Sequence, residues 1–437
     1  MPLFTPELEF SDDYPTIEPS LKLDFANARA LDPRITFERA STATYVGRDG
    51  LIKTADEDEP RFDHDPETGE SLGLLIEESR TNLCVNSTAS NSWGTPFQLI
   101  QLGTKTEVAP TGEVDAFHWI ETEDSTTHLN NGPTISITSG NSYSISAFFK
   151  KISGSISRGY FLQWYKSGGQ TVKVTYVPST DTISTSNSNG ASAPTNVSVV
   201  TYPNGWYKIS FTAALAETSA LAIVGVADSN GNSNFTGDLS MRHSFWGLQY
   251  EAGSFPTSYI PTSGSTATRS TDVARILGES FKSFHNYTEH SLLVDYVLDK
   301  NAQLKSPLGI NGVRFSDAGS GGTNGPNGYS LRVVSDPTSP QIDSHAFYDF
   351  TVYFDSVGFN LSDGVNEYKV AMGFALNNQA FVSGSTVQTD TSVLLPNPQT
   401  VLIERLIIGN LPTKVHYKKI VYYPKRLTNT QLQTLTQ

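Results

Sequence analysis

The sequence predicts an all-β chain: two antiparallel β-sandwich domains behind an extended N-terminal arm with short strands. Three observations carry this. Aromatic residues make up 11% of the 437 residues although the hydrophobic total is only 37%, the balance of thin layers with aromatic and β-branched cores. Glycine and proline, 34 and 23 of them, cut the chain into short runs. Those runs alternate apolar with polar residues, the period of a half-buried strand.

The arm, 1–83, opens with Glu7, Glu9, Asp12, Asp13 and Glu18, no base and four prolines over residues 1–20. That composition cannot bury enough apolar surface to form a core alone. Residues 21–25 then alternate as a strand, and 35–37 and 42–46 read as two more. Asp49-Gly50 supplies a hairpin turn between Val46 and Leu51. These strands have no local core, so at least one from 21–52 is expected to complete a neighbouring sheet. Residues 56–70 hold eight acids against the single base Arg61 and read as a solvated loop.

The first sandwich, 84–275, has strand candidates at 117–121, 134–137, 143–150, 160–165, 172–177, 206–212, 221–226 and 241–250. Such spacing fits a two-sheet jelly roll. The low-complexity stretch 184–195 reads as a mobile surface loop. Small polar residues and a proline at 261–266 mark a boundary. The second sandwich, 276–437, has candidates at 291–298, 312–315, 329–334, 345–354, 368–375, 379–382, 401–408 and 416–423. Gly319, Gly321, Gly322, Gly325 and Gly328 read as one long flexible loop. Thr428 with Gln431 is a capping box, and Leu432 and Leu435 give the short helix behind it one apolar side.

Charge and motifs then restrict the chemistry. Thirty basic against 44 acidic residues leave a net charge of −14, which disfavours nucleic acid and anionic membrane as partners. No run of 18 apolar residues occurs, so no membrane insertion is expected. Cys84 is the one cysteine, which excludes a disulfide framework and any multi-cysteine metal site. The opening Met1-Pro2-Leu3-Phe4-Thr5-Pro6 carries no signal-peptide pattern, so assembly in a reducing cytoplasm is expected. The eight histidines form no metal-ligand spacing, and phosphate-loop and dinucleotide fingerprints are absent. Gly69-Glu70-Ser71-Leu72-Gly73 matches a nucleophile-elbow string without the strand before and helix after that the elbow needs. No catalytic residue, metal ligand or cofactor is assigned, and the chain reads as a non-enzyme. The acidic stretch 56–70 lacks the EF-hand spacing, and calcium there is left open.

Aromatic residues are the remaining resource, because sugar C–H faces stack on rings while hydroxyls need hydrogen bonds. In Tyr160-Phe161-Leu162-Gln163-Trp164-Tyr165 the period of two puts Tyr160, Leu162 and Trp164 on one face. Phe161, Gln163 and Tyr165 take the other, and one of the two sets should be core. Trp164, Tyr165 and Phe161 are the candidate carbohydrate-binding residues. Trp206 and Trp246 sit in apolar strands and are assigned to the core.

Several strings carry a resemblance. Leu31-Asp32-Pro33-Arg34-Ile35-Thr36-Phe37-Glu38-Arg39-Ala40-Ser41-Thr42-Ala43-Thr44-Tyr45-Val46 resembles a segment near the start of tailed-bacteriophage virion proteins. Gly73-Leu74-Leu75-Ile76-Glu77-Glu78-Ser79-Arg80-Thr81-Asn82-Leu83 looks like its continuation. Asn204-Gly205-Trp206-Tyr207, the stretch Trp246 to Gly253, Thr257-Ser258-Tyr259-Ile260-Pro261-Thr262 and Thr268-Arg269-Ser270-Thr271-Asp272 are similar to the later half of the associated module. That module is the carbohydrate-binding-like jelly roll of phage tail-fibre proteins. The stretches Ile407-Ile408-Gly409-Asn410 and 416–432 resemble a concanavalin A-like (laminin-G-like) domain. The resemblance implies a virion structural protein, a tail fibre or similar appendage, which attaches to other virion proteins by its arm and displays its sandwiches to host surface glycans. It implies a homo-oligomer, a trimer by analogy. A capsid or neck decoration protein is the alternative, and a virion-borne polysaccharide depolymerase a third reading.

Overall fold

The structure is a computed structural model that describes residues 13–88, 90–298, 310–318, 324–334, 341–348, 351–355, 359–360, 367–391, 403–410 and 414–437. It is all-β, built from antiparallel sheets, as the sequence predicts. Residues 1–12 of the arm and 319–323 of the glycine stretch lie outside the described residues. Contacts group the chain into two units: Arg39–Asp272, and the described residues of 1–38 together with those of 273–437.

This grouping differs from the three consecutive stretches read from the sequence. The short strands of the arm are present, but each belongs to a sheet. Leu21–Asp24 pairs with Lys414–Tyr423, in the register Leu21↔Tyr422 and Leu23↔Ile420, which buries Leu21 and Leu23. Ile35–Glu38 pairs with Val273–Leu277, Phe37 opposite Ala274. An alternating strand without a core of its own gains its burial from whichever sheet offers an edge.

The unit Arg39–Asp272 is a sandwich. One sheet has the strand order Thr195–Tyr202, Trp206–Ala214, Ser142–Ser153, Arg242–Ala252, Val114–Glu121, Leu99–Val108. The other runs Thr182–Ser188, Thr171–Val177, Gly159–Tyr165, Ser219–Ala227, Ser125–Asn131, Asn234–Thr236. Between them lies an aromatic core that includes Trp119, Phe149, Trp164, Phe211, Phe245 and Tyr250. The outer side of the first sheet carries a second apolar layer of Phe148, Trp206, Trp246 and Tyr259, onto which Ile52 packs. Ile52 comes from the predicted hairpin, Ala43–Val46 with Ile52–Ala55, whose turn places Gly50 at φ 74°, a conformation open to glycine at little cost.

The reading of 184–195 as a loop is corrected: 184–188 continue a strand, Thr182–Ser188, in unbroken register with Thr171–Val177. Ser/Thr/Asn composition is neutral about strand formation, and a seven-residue ladder decides it. The strand Ser71–Glu77 begins at Ser71 and no helix follows, so the nucleophile-elbow string is a coincidence. Of the acids of 56–70, Asp56, Glu57, Asp58, Glu59 and Glu67 are exposed, as a solvated loop requires, but several also hold the backbone. Asp58 accepts from the Arg39 amide at 2.7 Å, Asp63 from the Val46 amide at 2.6 Å, and Asp65 from the Glu67 and Thr68 amides. They are turn and strand acceptors that close the chain on itself.

These turns surround a buried ion cluster. Arg61, with no side-chain exposure, donates to Glu77 at 2.7 Å and also pairs with Asp272. Arg39 reaches Asp272 at 3.2 Å, and Arg269 reaches Glu77 at 3.0 Å. Ser258 gives Glu77 both its hydroxyl, at 2.6 Å, and its amide, at 2.8 Å. Buried Glu251 accepts from Thr257, whose hydroxyl also takes a bond from Arg269. Three guanidinium groups thus meet three carboxylates, which is what lets so many charges leave water together.

The other unit also has two sheets. In one the order is Thr386–Asp390, Asn378–Ser383, Glu367–Ala375, Glu289–Leu298, Lys414–Tyr423. The other runs Ile35–Glu38, Val273–Leu277, Ile403–Asn410, Ile310–Ala318, Asn324–Val334, Gln341–Tyr348, Thr351–Asp355. Gly325 and Gly328 therefore lie in a strand, which corrects the reading of one continuous glycine loop. The predicted helix is Asn429–Thr436 with the Thr428–Gln431 capping box formed, and Leu432 docks among Leu293, Ala371 and Val421. Between the sheets His285, His290, Phe315 and Tyr422 pack ring on ring, with centroids 5.3–5.8 Å apart. The Tyr422 hydroxyl accepts from the Asn286 amide at 2.9 Å and lies 3.1 Å from His285 Nδ1. Burial pushes His285 down to about 2 and His290 down to about 3.

Two predictions follow from this packing. Glu77→Gln or Asp272→Asn leaves a buried guanidinium without its counter-charge and should cost about 3–5 kcal/mol. Urea unfolding measures it, and a loss below about 1 kcal/mol contradicts the role given to the cluster. Both histidines titrate below the ordinary 6.5 when folded, so the unfolded chain takes up protons first as pH falls. Stability is complete above pH 6.5 and declines from there toward pH 3, approaching about 1.4 kcal/mol per pH unit for each histidine. His285→Gln should roughly halve the slope between pH 6.5 and 5, and an unchanged slope would refute this assignment.

Candidate functional site

The strand Gly159–Tyr165 obeys the period of two. Tyr160, Leu162 and Trp164 point into the sandwich. Trp164 is 1% exposed, stacked on Tyr143 at 6.2 Å and tilted against Tyr250 at 5.4 Å. It offers no ring face to a ligand, which corrects its assignment as a binding residue. Phe161, Gln163 and Tyr165 take the outward face of the sheet, as the alternation predicts, but they fare differently there.

Phe161 is buried as well, at 1% exposure. Its ring lies over Gly225, the residue paired with it on the neighbouring strand. A Cβ at position 225 would stand 2.2 Å from Phe161 Cζ, so the missing side chain is what lets the ring lie flat. The Lys173 ammonium sits 5.4 Å from the ring centroid. Covered on one side by a strand and over the ring by a lysine, Phe161 is a packed platform and its assignment as a contact residue is corrected. Tyr165 is half-buried on the same face and is the candidate that retains access.

Register supplies partners that the motif search missed. Across the strands one row reads Ser186, Lys173, Gln163, Ile223, Asn131, each residue paired with the next. The adjacent row reads Ser188, Thr171, Tyr165, Leu221, and Thr171 and Ser188 join their hydroxyls at 2.6 Å. On the other side lie Ser184, Thr175 and Phe161. Ser184, Ser186 and Ser188 are exposed, and Gln163 and Lys173 are half-buried. The face therefore combines one accessible ring, an amide, an ammonium and a border of hydroxyls. Such a surface can stack on a sugar ring and hydrogen-bond its hydroxyls. The alternation Val172-Lys173-Val174 carried the signal for Lys173. What the sequence did not give was which strand lies beside Gly159–Tyr165.

A second polar group is sealed inside the sandwich. Glu121 takes a two-pronged bond from Arg158, at 2.8 Å to each oxygen, and a third at 2.8 Å from His243 Nε2. Burial alone would raise its carboxyl, but the bonds from Arg158 and His243 hold it at about 2. Burial lowers His243 despite the Glu121 charge; its Nε2–H donates to Glu121, and Tyr160 lies 3.3 Å from Nδ1. Glu121 and His243 have no exposure. Among the described residues no group of three or more His, Cys, Asp or Glu side chains is placed to hold a metal ion.

No family model matches the chain, and no curated protein matches it. Solved structures similar to it include a Trypanosoma rangeli sialidase in complex with the inhibitor DANA, at 11% identity and TM-score 0.25, over 78% of this chain and 62% of that one. The chain thus spans about 62% of the length of the sialidase structures it matches. A GH43 protein from a Bacteroides ovatus xyloglucan locus matches at 10% identity and TM-score 0.23, over 92% of this chain and 100% of that one. Likeness at this level assigns no reaction and no substrate. The similar structures named include a sialidase and a GH43 protein, and the expectation of a non-enzyme is withdrawn.

Glu121 supplies a prediction. Its folded carboxyl lies below the ordinary value of 4.5, so its contribution is present above pH 4.5 and is lost as pH falls toward 2. Glu121→Gln should flatten the acid limb of the unfolding curve in that window while it destabilises the sandwich at pH 7 by about 3–5 kcal/mol. An unchanged acid limb would contradict an ionised Glu121 at neutral pH.

Proposed function

We propose that this chain is a bacteriophage virion appendage protein that binds host-surface glycans, with the outward face around Tyr165 as a binding surface. The observation that carries the reading is the composition of that face. One half-buried tyrosine, one amide, one ammonium and a row of serine hydroxyls share a single flat sheet surface. The resemblance of several strings to those of tailed-phage virion proteins supports the setting. In that setting the chain assembles in the host cytoplasm, joins other virion proteins and is present in several copies. Sugar sites of millimolar strength gain by orders of magnitude when displayed together on one particle.

A particle-decoration role is the second reading, and one observation favours it. Thr182–Ser188 is exposed at all seven positions and carries no charge, at the end of its sheet. Edges of that kind accept a strand from a neighbouring chain.

The test uses the full-length protein on an oligosaccharide array, beside Tyr165→Ala and Trp164→Ala. Tyr165→Ala should lose at least about tenfold in affinity, the scale of one stacked ring, with thermal unfolding shifted by no more than a few degrees. Trp164→Ala should instead destabilise the sandwich by about 3–5 kcal/mol, because it empties a core position. Glycan binding untouched by Tyr165→Ala would overturn the placement of the site. Absence of glycan binding by the native protein, together with docking onto particles, would favour decoration.

A further inference from the structure

Lys173 is a half-buried cation on the outward face of its sheet. The protein carries 44 acidic against 30 basic residues, so a half-buried cation has carboxylates to choose from. Among other half-buried cations of the same unit, Lys105 pairs with Asp115 and Lys150 with Glu107, while Lys166 meets the Ser219 hydroxyl at 2.8 Å. Lys173 forms no ion pair among the described residues. Its ammonium meets the Ser233 hydroxyl at 3.4 Å and the face of Phe161 at 5.4 Å. Both contacts are weaker than a carboxylate at hydrogen-bond distance. Burial lowers its pKa with no opposing acid nearby, the signature of a cation taken partly out of water without compensation.

Its placement gives the missing partner a position. Lys173 stands in the row Ser186, Lys173, Gln163, and Tyr165 belongs to the next row on the same face. The ammonium lies over the Phe161 ring, which packs where Gly225 has no side chain. Lys173 is paired with Gln163, and its ammonium is within reach of the Ser233 hydroxyl. A sugar stacked on Tyr165 would bring its ring substituents over Gln163 and Lys173.

Resting on the glycan-binding reading above, we propose that the ligand is an acidic glycan, and that Lys173 receives the carboxylate of a uronic or similar sugar acid while Tyr165 stacks on a ring. A carboxylate in that place would give the Lys173 ammonium an ion-pair partner. It also gives specificity, since a neutral sugar leaves the ammonium unpaired and a charge-assisted bond unmade.

The experiment measures dissociation constants of the full-length protein for matched oligosaccharides: oligogalacturonate, its methyl ester, and the neutral oligogalactose of the same length. The variants are Lys173→Met, Lys173→Arg and Tyr165→Ala. The expected result is tighter binding of oligogalacturonate than of its ester by at least about tenfold, falling toward unity with rising salt. Lys173→Met should abolish that preference, and Lys173→Arg should restore it. Equal binding of acid and ester by the native protein, both lost in Tyr165→Ala, would overturn the acidic-ligand proposal and leave glycan binding standing. A preference for the acid that survives in Lys173→Met would move the anion contact elsewhere and overturn it too. No binding of any of the three sugars would overturn both readings together.

Discussion

The unit Arg39–Asp272 depends on the pairing of Arg61 with Glu77 and Asp272. These side chains come from stretches far apart in sequence and have no contact with solvent. None of the charges is stable alone at that depth. Each segment therefore docks only if the others are in place, and the three segments close as a set. Arg39 and Arg269 extend the cluster to the start and end of the unit. Asn82 continues the same seam: its side chain accepts from the Cys84 and Tyr250 amides and donates to the Ile260 carbonyl.

With its ends locked, the unit can hold two sheets apart by an aromatic core and leave one broad face free of that task. The hairpin around Gly50 and the segment carrying Tyr259 cover the outer side of one sheet. The outer side of the other is covered at Phe161 and left accessible at Tyr165 and Gln163. Rigidity matters for this face. A ring on a loop pays an ordering cost on binding, whereas Tyr165 sits in a seven-residue strand paired on both sides.

The strand content, the hairpin at Asp49-Gly50, the capped C-terminal helix and the core roles of Trp206 and Trp246 were all legible, because each follows from local pattern. The alternation in 160–165 correctly separated two faces but could not say that Phe161 would be roofed by Lys173 or floored by Gly225. Those depend on strand neighbours distant in sequence. For the same reason Arg61 looked like a lone base in an acidic stretch, while its partners Glu77 and Asp272 lay in other strings. The strings that carry the resemblance include Arg39, Glu77, Asn82, Ser258, Arg269 and Asp272. They mark the clamp that makes the fold, and the candidate site lies between them on strands with no signature. The polar run 184–188 was misread because its ladder, and not its composition, makes it a strand.

The central claim is that the outward face of the strands Gly159–Tyr165 and Thr171–Val177 is where this protein meets a glycan. Hydrogen exchange read by mass spectrometry on the full-length protein, with and without a saturating oligosaccharide that it binds, tests this directly. The account predicts slowed exchange in peptides covering 159–177 and 182–188, with the inward core peptides and the other unit unchanged. Slowed exchange confined to 273–437, with 159–188 unaffected, would contradict it.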